Sequence, residues 1–367
     1  MRQPIRHATI RLAMLFAAVL GLFGALASDT RAAAARAAAA MAAEQTSLNA
    51  DQSTLHRVRR RGYLRCGVSK DALGFSLVDS AGRWSGLGVD FCVALSVAVF
   101  GNRDAVKFVP LSAAGRFTAV QNRDVDVLIH NTTWTLGRDA TPNLQFVAPL
   151  FFGGTKLLVR LKQNVESALE LAGASVCTLA GSASEQNTAG YFLLHKMRHE
   201  IVSFDKWSDA VEAYQAKRCQ ALAGDVITLA RQTLKIGGAN EHMLLPEFLA
   251  VDMLGPAVRT GDDVWFKIVR WTVAAMIRGE ELALTSSNVD AMRGKANPVV
   301  RGFLGLDARL GRSLGLSDDW TYQIIKQVGN YGESFARNFG AGSKLKLDRA
   351  LNNLWSKGGL LVAPHFR

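Results

Sequence analysis

The stretch Asn131-Thr-Thr-Trp-Thr-Leu-Gly-Arg-Asp139 directly follows the apolar run Asp126-Val-Leu-Ile129, and its reading decides how the chain folds. Residues 126–129 read as a buried strand, so the polar stretch stands just beyond a strand's carboxyl end. Open α/β sheets hold their ligands at that place. Hydroxyls and backbone carbonyls there can accept from an ammonium, and a guanidinium fork can grip a carboxylate through two parallel bonds. An α-amino acid carries both charges on one carbon. The same nine residues also read as a threonine-rich turn with a surface arginine.

Outward from this stretch, short strands alternate with helices. Residues 63–68, 106–111 and 126–129 read as strands, and 89–100 and 114–122 as helices. Residues 155–160 read as a crossing strand. A second series follows, with helices at 166–171, 185–199 and 207–216 and strands at 175–179, 201–204 and 219–223. This alternation predicts α/β architecture with parallel sheets and helices on both faces. Two such series over about 300 residues exceed a single core, so two lobes are expected. Leu254-Gly-Pro-Ala-Val-Arg259 reads as the return crossing, and Asp262-Asp263 caps a long helix at 263–278. The rest is helical in pattern, most clearly at 318–328 and 345–357.

The amino-terminal residues read as an export signal. Arg2, Arg6 and Arg11 precede an apolar run, Leu12 to Ala27, that ends in Ala25-Leu26-Ala27, a small-x-small cleavage pattern. The run is short for a membrane span. Residues 28–53 are alanine-rich without a patterned apolar face and read as a disordered lead-in. Cleavage near Ala27 and release into the periplasm are therefore expected, and no cysteine lies nearby to take a lipid.

Nine arginines and three acids fall within residues 1–61, which accounts for half of the net charge of +12. The remaining surplus is mild and forms no basic stripe interleaved with aromatics, which argues against nucleic-acid binding. Arg57-Val-Arg-Arg-Arg61 reads as a solvated helix face. The four cysteines, Cys66, Cys92, Cys177 and Cys219, are too widely spaced for a zinc ribbon or a CxxC motif. An even count in an exported chain favours disulfides. Four small buried apolar side chains are the other reading. No GxGxxG, P-loop, HExxH or GxSxG motif is present, and the seven histidines are scattered. No cofactor is implied.

Two further segments could hold charge. Ala180-Gly-Ser-Ala-Ser-Glu185 follows a strand and opens a helix, so its backbone N–H groups could bind an anion, or Ser182 could be an ordinary N-cap. Asp225 also follows a strand, and could neutralise an ammonium or cap the next helix.

Six segments in order resemble the periplasmic amino-acid-binding proteins of ABC importers (bacterial extracellular solute-binding family 3), specifically the general L-amino acid subgroup. They are Gly86-Leu-Gly-Val-Asp-Phe-Cys92, Arg116-Phe-Thr-Ala-Val120, Asn131-Thr-Thr-Trp-Thr135 with Arg138-Asp139, Leu254-Gly-Pro-Ala-Val-Arg259 before Asp262-Asp263, Val328-Gly-Asn-Tyr-Gly-Glu333, and Asn353-Leu-Trp355 with Lys357-Gly-Gly359. The similarity spans residues 54–367. It implies a type 2 periplasmic-binding-protein fold with two lobes, two crossing strands and a helical C-terminal extension. The lobes would comprise residues 54–156 plus 255–367, and 157–254. They would close on the ligand like a hinged clamp.

The resemblance also implies residue roles. Arg138 would clamp the α-carboxylate, with Thr133 and the Asn131 backbone contributing. Ser182 and the N–H groups after Gly181 would complete the carboxylate grip, and Asp225 would take the ammonium. Phe75 would line the pocket, and Arg116 would face the ligand side chain. A bridge between lobes would block closure, so the expected disulfides are Cys66–Cys92 and Cys177–Cys219. The partners implied are a free L-amino acid and a membrane permease, with the receptor a monomer. The chain departs from the family pattern at Gly88 (usually acidic), His130 (usually arginine), Ala183 (usually threonine) and Gln220 (usually acidic). His130 exchanges a permanent charge for one that titrates. Two other readings remain. A dehydratase or related lyase on the same fold would need Glu185 or His130 as general acid. A sensory ligand module would need an output domain, and none is attached.

Overall fold

The computed structural model describes residues 53–295, 297–307 and 309–367. The expected export signal, and the expected lead-in up to residue 52, lie outside the described residues. The sheets, cavity and disulfides all belong to one compact unit, Val58–Arg367.

The arginine cluster at 57–61 falls on helix α1 (Thr54–Arg61), with Arg59 and Arg60 exposed. Strand β1 (Leu64–Val68) follows, then a small antiparallel sheet of β2 (Asp71–Ala72), β3 (Ser76–Val78) and β4 (Trp84–Ser85). Next come α2 (Leu87–Phe100), β5 (Val106–Pro110), α3 (Arg116–Gln121), β6 (Val127–Leu128), the one-turn helix α4 (Leu136–Asp139) and β7 (Gln145–Phe146). The chain crosses to β8 (Phe151–Arg160) and continues through β9 (Ser175–Leu179), α5 (Ala183–Leu194), β10 (Glu200–Phe204), α6 (Trp207–Gln215) and β11 (Ala221–Asp225). After α7 (Val226–Thr233), β12 (His242–Leu244) and β13 (Ala250–Leu254), it returns through β14 (Ala257–Val258). Helices α8 (Asp263–Glu281), α9 (Val289–Lys295), α10 (Pro298–Phe303), α11 (Leu310–Ser313), α12 (Trp320–Gln327) and α13 (Tyr331–Asn338) complete the carboxyl end.

The strands form two main sheets, ordered β5-β1-β6-β14-β7 and β10-β9-β11-β8-β12, with β13 also paired to β8. This is the two-lobed α/β architecture. The sheets are mixed rather than purely parallel. Strands β1, β5 and β6 run parallel, as do β9, β10 and β11, whereas β14 and β8 pair antiparallel with their neighbours. Strands delivered by a crossing enter the sheet from the opposite end, so their direction reverses. Helix α2 is apolar on nearly every side because it is buried between the first sheet and helices α8, α12 and α13.

Two segments join the sheets, at residues 147–150 and 255–256. They hydrogen-bond to each other, Val147 N–H to Pro256 O at 2.9 Å and Leu150 N–H to Leu254 O at 2.7 Å. The approach is close enough to require glycine at 255, where a Cβ would stand 2.0 Å from Ala148 O.

Cys66 is bonded to Cys92 and Cys177 to Cys219, with Cα separations of 6.2 and 5.6 Å, inside the usual range. The first pair ties β1 to α2. The second ties β9 to the residues entering β11.

Several expected elements differ. The crossing strand begins at Phe151 rather than 155, because β13 pairs with its first five residues. The helix expected at 166–171 is only a 3-10 turn, Ala168–Glu170, since the Glu247 carboxylate accepts from Ser167 Oγ and Ala168 N–H and fixes the entry. Helix α5 stops at Leu194 because Lys196 adopts a left-handed conformation. The helix expected at 345–357 is replaced by two 3-10 turns, Ala350–Asn352 and Trp355–Lys357. There the Asn352 amide exchanges two hydrogen bonds with the Phe152 backbone (2.7 and 2.8 Å) and pins the segment to β8. No helix of the described residues is long and apolar enough to cross a membrane.

Candidate functional site

A cavity of about 340 Å³ opens where loops of the first sheet face the start of α7 on the second. The stretch after β6 forms one wall. Asn131 turns the chain with φ +39°, and Thr132 Oγ1 donates back to His130 O at 3.1 Å. Trp134 N–H then bonds Met253 O at 2.7 Å while its ring stacks on Phe146 at 5.7 Å. These contacts fix the stretch to β13. Thr135 caps α4, which presents Arg138, and the Arg138 guanidinium donates to Thr133 O at 2.8 Å.

Of the expected site residues, Phe75, Arg116, His130, Asn131, Thr133, Arg138 and Asp225 all line this cavity. The Phe75 ring is almost wholly buried, packed edge-on against Phe151 and Phe339. His130 is buried, and its Nε2 lies 2.8 Å from Leu111 O. Arg116 opens α3 and donates to Ala113 O at 2.7 Å, while its buried Nε has no hydrogen-bond partner. Burial, and then the charge of Arg138, push its guanidinium below the usual pKa.

Asp225 ends β11 and caps α7, accepting from Ile227 N–H at 3.0 Å and Thr228 N–H at 3.3 Å. Burial pushes its carboxyl well above the ordinary range. The α7 N–H groups pull it down, and the nearby Asp252 carboxylate raises it further. Asp252, on β13, is also raised by burial, with Arg138 drawing it back. A half-buried carboxylate beside a second one favours a cation.

Ser182 does not line the cavity. Its hydroxyl accepts from Glu185 N–H at 3.2 Å as an N-cap, and the Gly181 N–H goes to the Glu185 carboxylate at 2.7 Å. Ser203 Oγ donates to that carboxylate as well. The Gly181 N–H and the Ser182 hydroxyl are thus engaged by Glu185 of their own helix, and Glu185 stands apart from the cavity lining. The departures at other positions have structural settings. Gly88 packs against the Phe75 and Ile129 backbone, Ala183 is the first residue of α5, and Gln220 accepts from Ser175 N–H at 2.6 Å.

The cavity also contains residues that the sequence reading passed over, among them Ser69, Asp71, Thr228 and Arg231. Asp71 accepts from Ser69 Oγ at 2.8 Å. Thr228 and Arg231 follow the Asp225 cap at three-residue intervals, the spacing that keeps side chains on one helix face. Once Asp225 is taken as the cap, that spacing points at both. Among the described residues, no cluster of His, Cys, Asp and Glu could hold a metal ion.

Comparison with known proteins accords with this geometry. The profile of the bacterial extracellular solute-binding proteins, family 3, matches residues 64–287. The general L-amino acid-binding periplasmic protein AapJ of Rhizobium johnstonii is 44% identical over 320 residues, covering 87% of this chain and 94% of that protein. The putative amino-acid ABC transporter-binding protein YhdW of Escherichia coli is 43% identical over 316 residues, covering 86% and 93%. A solved ABC transporter/periplasmic binding protein from Brucella ovis, with glutathione bound, is 43% identical with a TM-score of 0.73 and covers 86% of this chain and 99% of that one. These relatives are binding proteins rather than enzymes. The chain belongs to the bacterial extracellular solute-binding proteins of family 3.

Proposed function

We propose that this chain is a periplasmic receptor that captures L-amino acids and delivers them to the membrane permease of an ABC importer. The observation that carries this reading is the pairing of Arg138 and Asp225 on one cavity, the first on α4 beyond β6 and the second at the head of α7. Their signs fit the carboxylate and ammonium of an amino acid. In a closed, water-poor cleft, leaving one such charge without its partner costs about 3–5 kcal/mol. Arg138 takes the α-carboxylate together with Thr133 and the Asn131 backbone, and Asp225 takes the ammonium. Phe75 forms the apolar wall, and Arg116 and His130 stand toward the ligand side chain. On closure of the lobes, 54–156 with 255–367 against 157–254, Ser182 and its turn approach the carboxylate. The relatives' names support the amino-acid class and the periplasm. We place the working protein there as a monomer after cleavage near Ala27.

Glutathione is a second ligand to consider, because the Brucella ovis relative holds it and its γ-glutamyl head carries the same ammonium and α-carboxylate. The test is titration calorimetry of the mature protein, unfolded and refolded to strip carried-over ligand, against the common amino acids and glutathione. Saturable binding of amino acids is expected. Binding of glutathione alone would replace the ligand class, and binding of none would end the reading.

A further inference from the structure

The cavity carries more positive charge than the two charges of an amino acid call for. Arg116, Arg138 and Arg231 line it, against Asp71 and Asp225. Among the described residues, none of the three arginines is in an ion pair. A ligand with a neutral side chain would engage one arginine and one aspartate and leave two guanidiniums against the single carboxylate of Asp71, which already accepts from Ser69. Arg116 is poorly placed to stay so. Its Nε is buried without a hydrogen-bond partner, and the charge of Arg138 acts against its own. Arg231 reaches the cavity from the opposite side, one turn beyond Thr228 on the face of α7 that the Asp225 cap turns inward. A guanidinium offers a planar fork of donors that suits a carboxylate, and like-charged forks around one space are relieved by an anion between them.

Resting on the amino-acid reading above, we propose that Arg116 and Arg231 form a second anion subsite that makes the cleft prefer ligands bearing a second carboxylate. That group is either the side chain of an acidic amino acid or the far carboxylate of a γ-glutamyl peptide. Arg138 and Asp225 hold the α-carbon charges, and the second carboxylate lies between a first-lobe and a second-lobe arginine. Its presence then adds to the force that draws the lobes together.

Glutamate and glutamine decide the matter, since they differ by one charge at nearly constant shape. Calorimetric titration of the ligand-stripped mature protein is expected to show glutamate binding tighter than glutamine by about tenfold or more. The margin should shrink as salt is raised, because ions screen the added pairing. Arg116→Gln and Arg231→Gln should each lower the glutamate-to-glutamine affinity ratio by about tenfold. Glutathione binding tighter than glutamate would assign the second carboxylate to a peptide end, and the reverse would assign it to an amino-acid side chain. Equal affinities for glutamate and glutamine, with glutathione no tighter, overturn the subsite and leave the receptor reading intact. Binding of no amino acid overturns both. Should either variant fail to fold, the wild-type comparison and its salt dependence remain decisive. A ratio unchanged in both folded variants overturns the assignment to these arginines.

Discussion

The Asp225 carboxylate caps α7 through the Ile227 and Thr228 N–H groups while lying half-buried at the cavity wall. Substitution can separate these two jobs. Asparagine also caps helices well, whereas loss of a cap to alanine typically costs about 1 kcal/mol. Burial raises the pKa of this carboxyl in the folded chain, so the folded state holds its proton more tightly than the unfolded state does. Stability therefore falls as pH climbs from the ordinary value of 3.8 through the raised one. Over the same window the carboxyl ionises, and affinity for an ammonium should rise. We predict that Asp225→Asn removes the pH-dependent loss of stability and, at neutral pH, leaves the empty protein at least as stable as the wild type. Denaturant unfolding from pH 4 to pH 8 checks this, and a variant that is less stable throughout would contradict it. At this scale the sequence was partly legible. Arg138 and Asp225 were findable because charged side chains just beyond strand ends point where ligands sit. Arg231 became findable only once Asp225 was placed as the cap of its helix, and Asp71 was not, because whether such a residue faces the cleft depends on which way its turn is rotated.

Between the two sheets, the paired crossing segments act as the joint. At Gly255 an added Cβ would stand 2.0 Å from Ala148 O, so Gly255→Ala must push the segments apart. A loss of about 1–3 kcal/mol is expected, along with altered ligand affinity, and both are readable by thermal unfolding and titration. The Cys177–Cys219 bond closes a separation of 42 residues inside the second sheet's core. Replacing both cysteines by serine is predicted to lower stability by roughly 2–4 kcal/mol while moving amino-acid affinity far less. A comparable loss of affinity would show that the bond shapes the cleft as well. The elements most legible in sequence were those with strong local patterns, such as β9, found at the expected residues 175–179, and α2. Residues 345–357 carry a helical apolar pattern, yet Asn352 binds the Phe152 backbone and Arg349 reaches both Glu280 and the Asn352 carbonyl. Those partners lie far away in sequence, so no local reading could supply them.

Across the whole molecule, two α/β sheets joined by two short segments leave a cleft with matched charges on either side. In the proposed clamp the α-carboxylate goes to Arg138 on one side of the cavity and the ammonium to Asp225 on the other, so the ligand itself would favour the closed form. Small-angle scattering should record a smaller radius of gyration on addition of the preferred amino acid. At a ligand concentration about 100 times Kd, the folded state should gain roughly 2.7 kcal/mol. Binding without compaction would point to a cleft that is already shut. The most direct test of the account is the calorimetric affinity of Arg138→Ala and Asp225→Ala for the amino acid that the wild type binds best. With one partner of each buried pair removed, a loss of about a hundredfold or more is predicted for each folded variant. Wild-type affinity in both would contradict the amino-acid clamp.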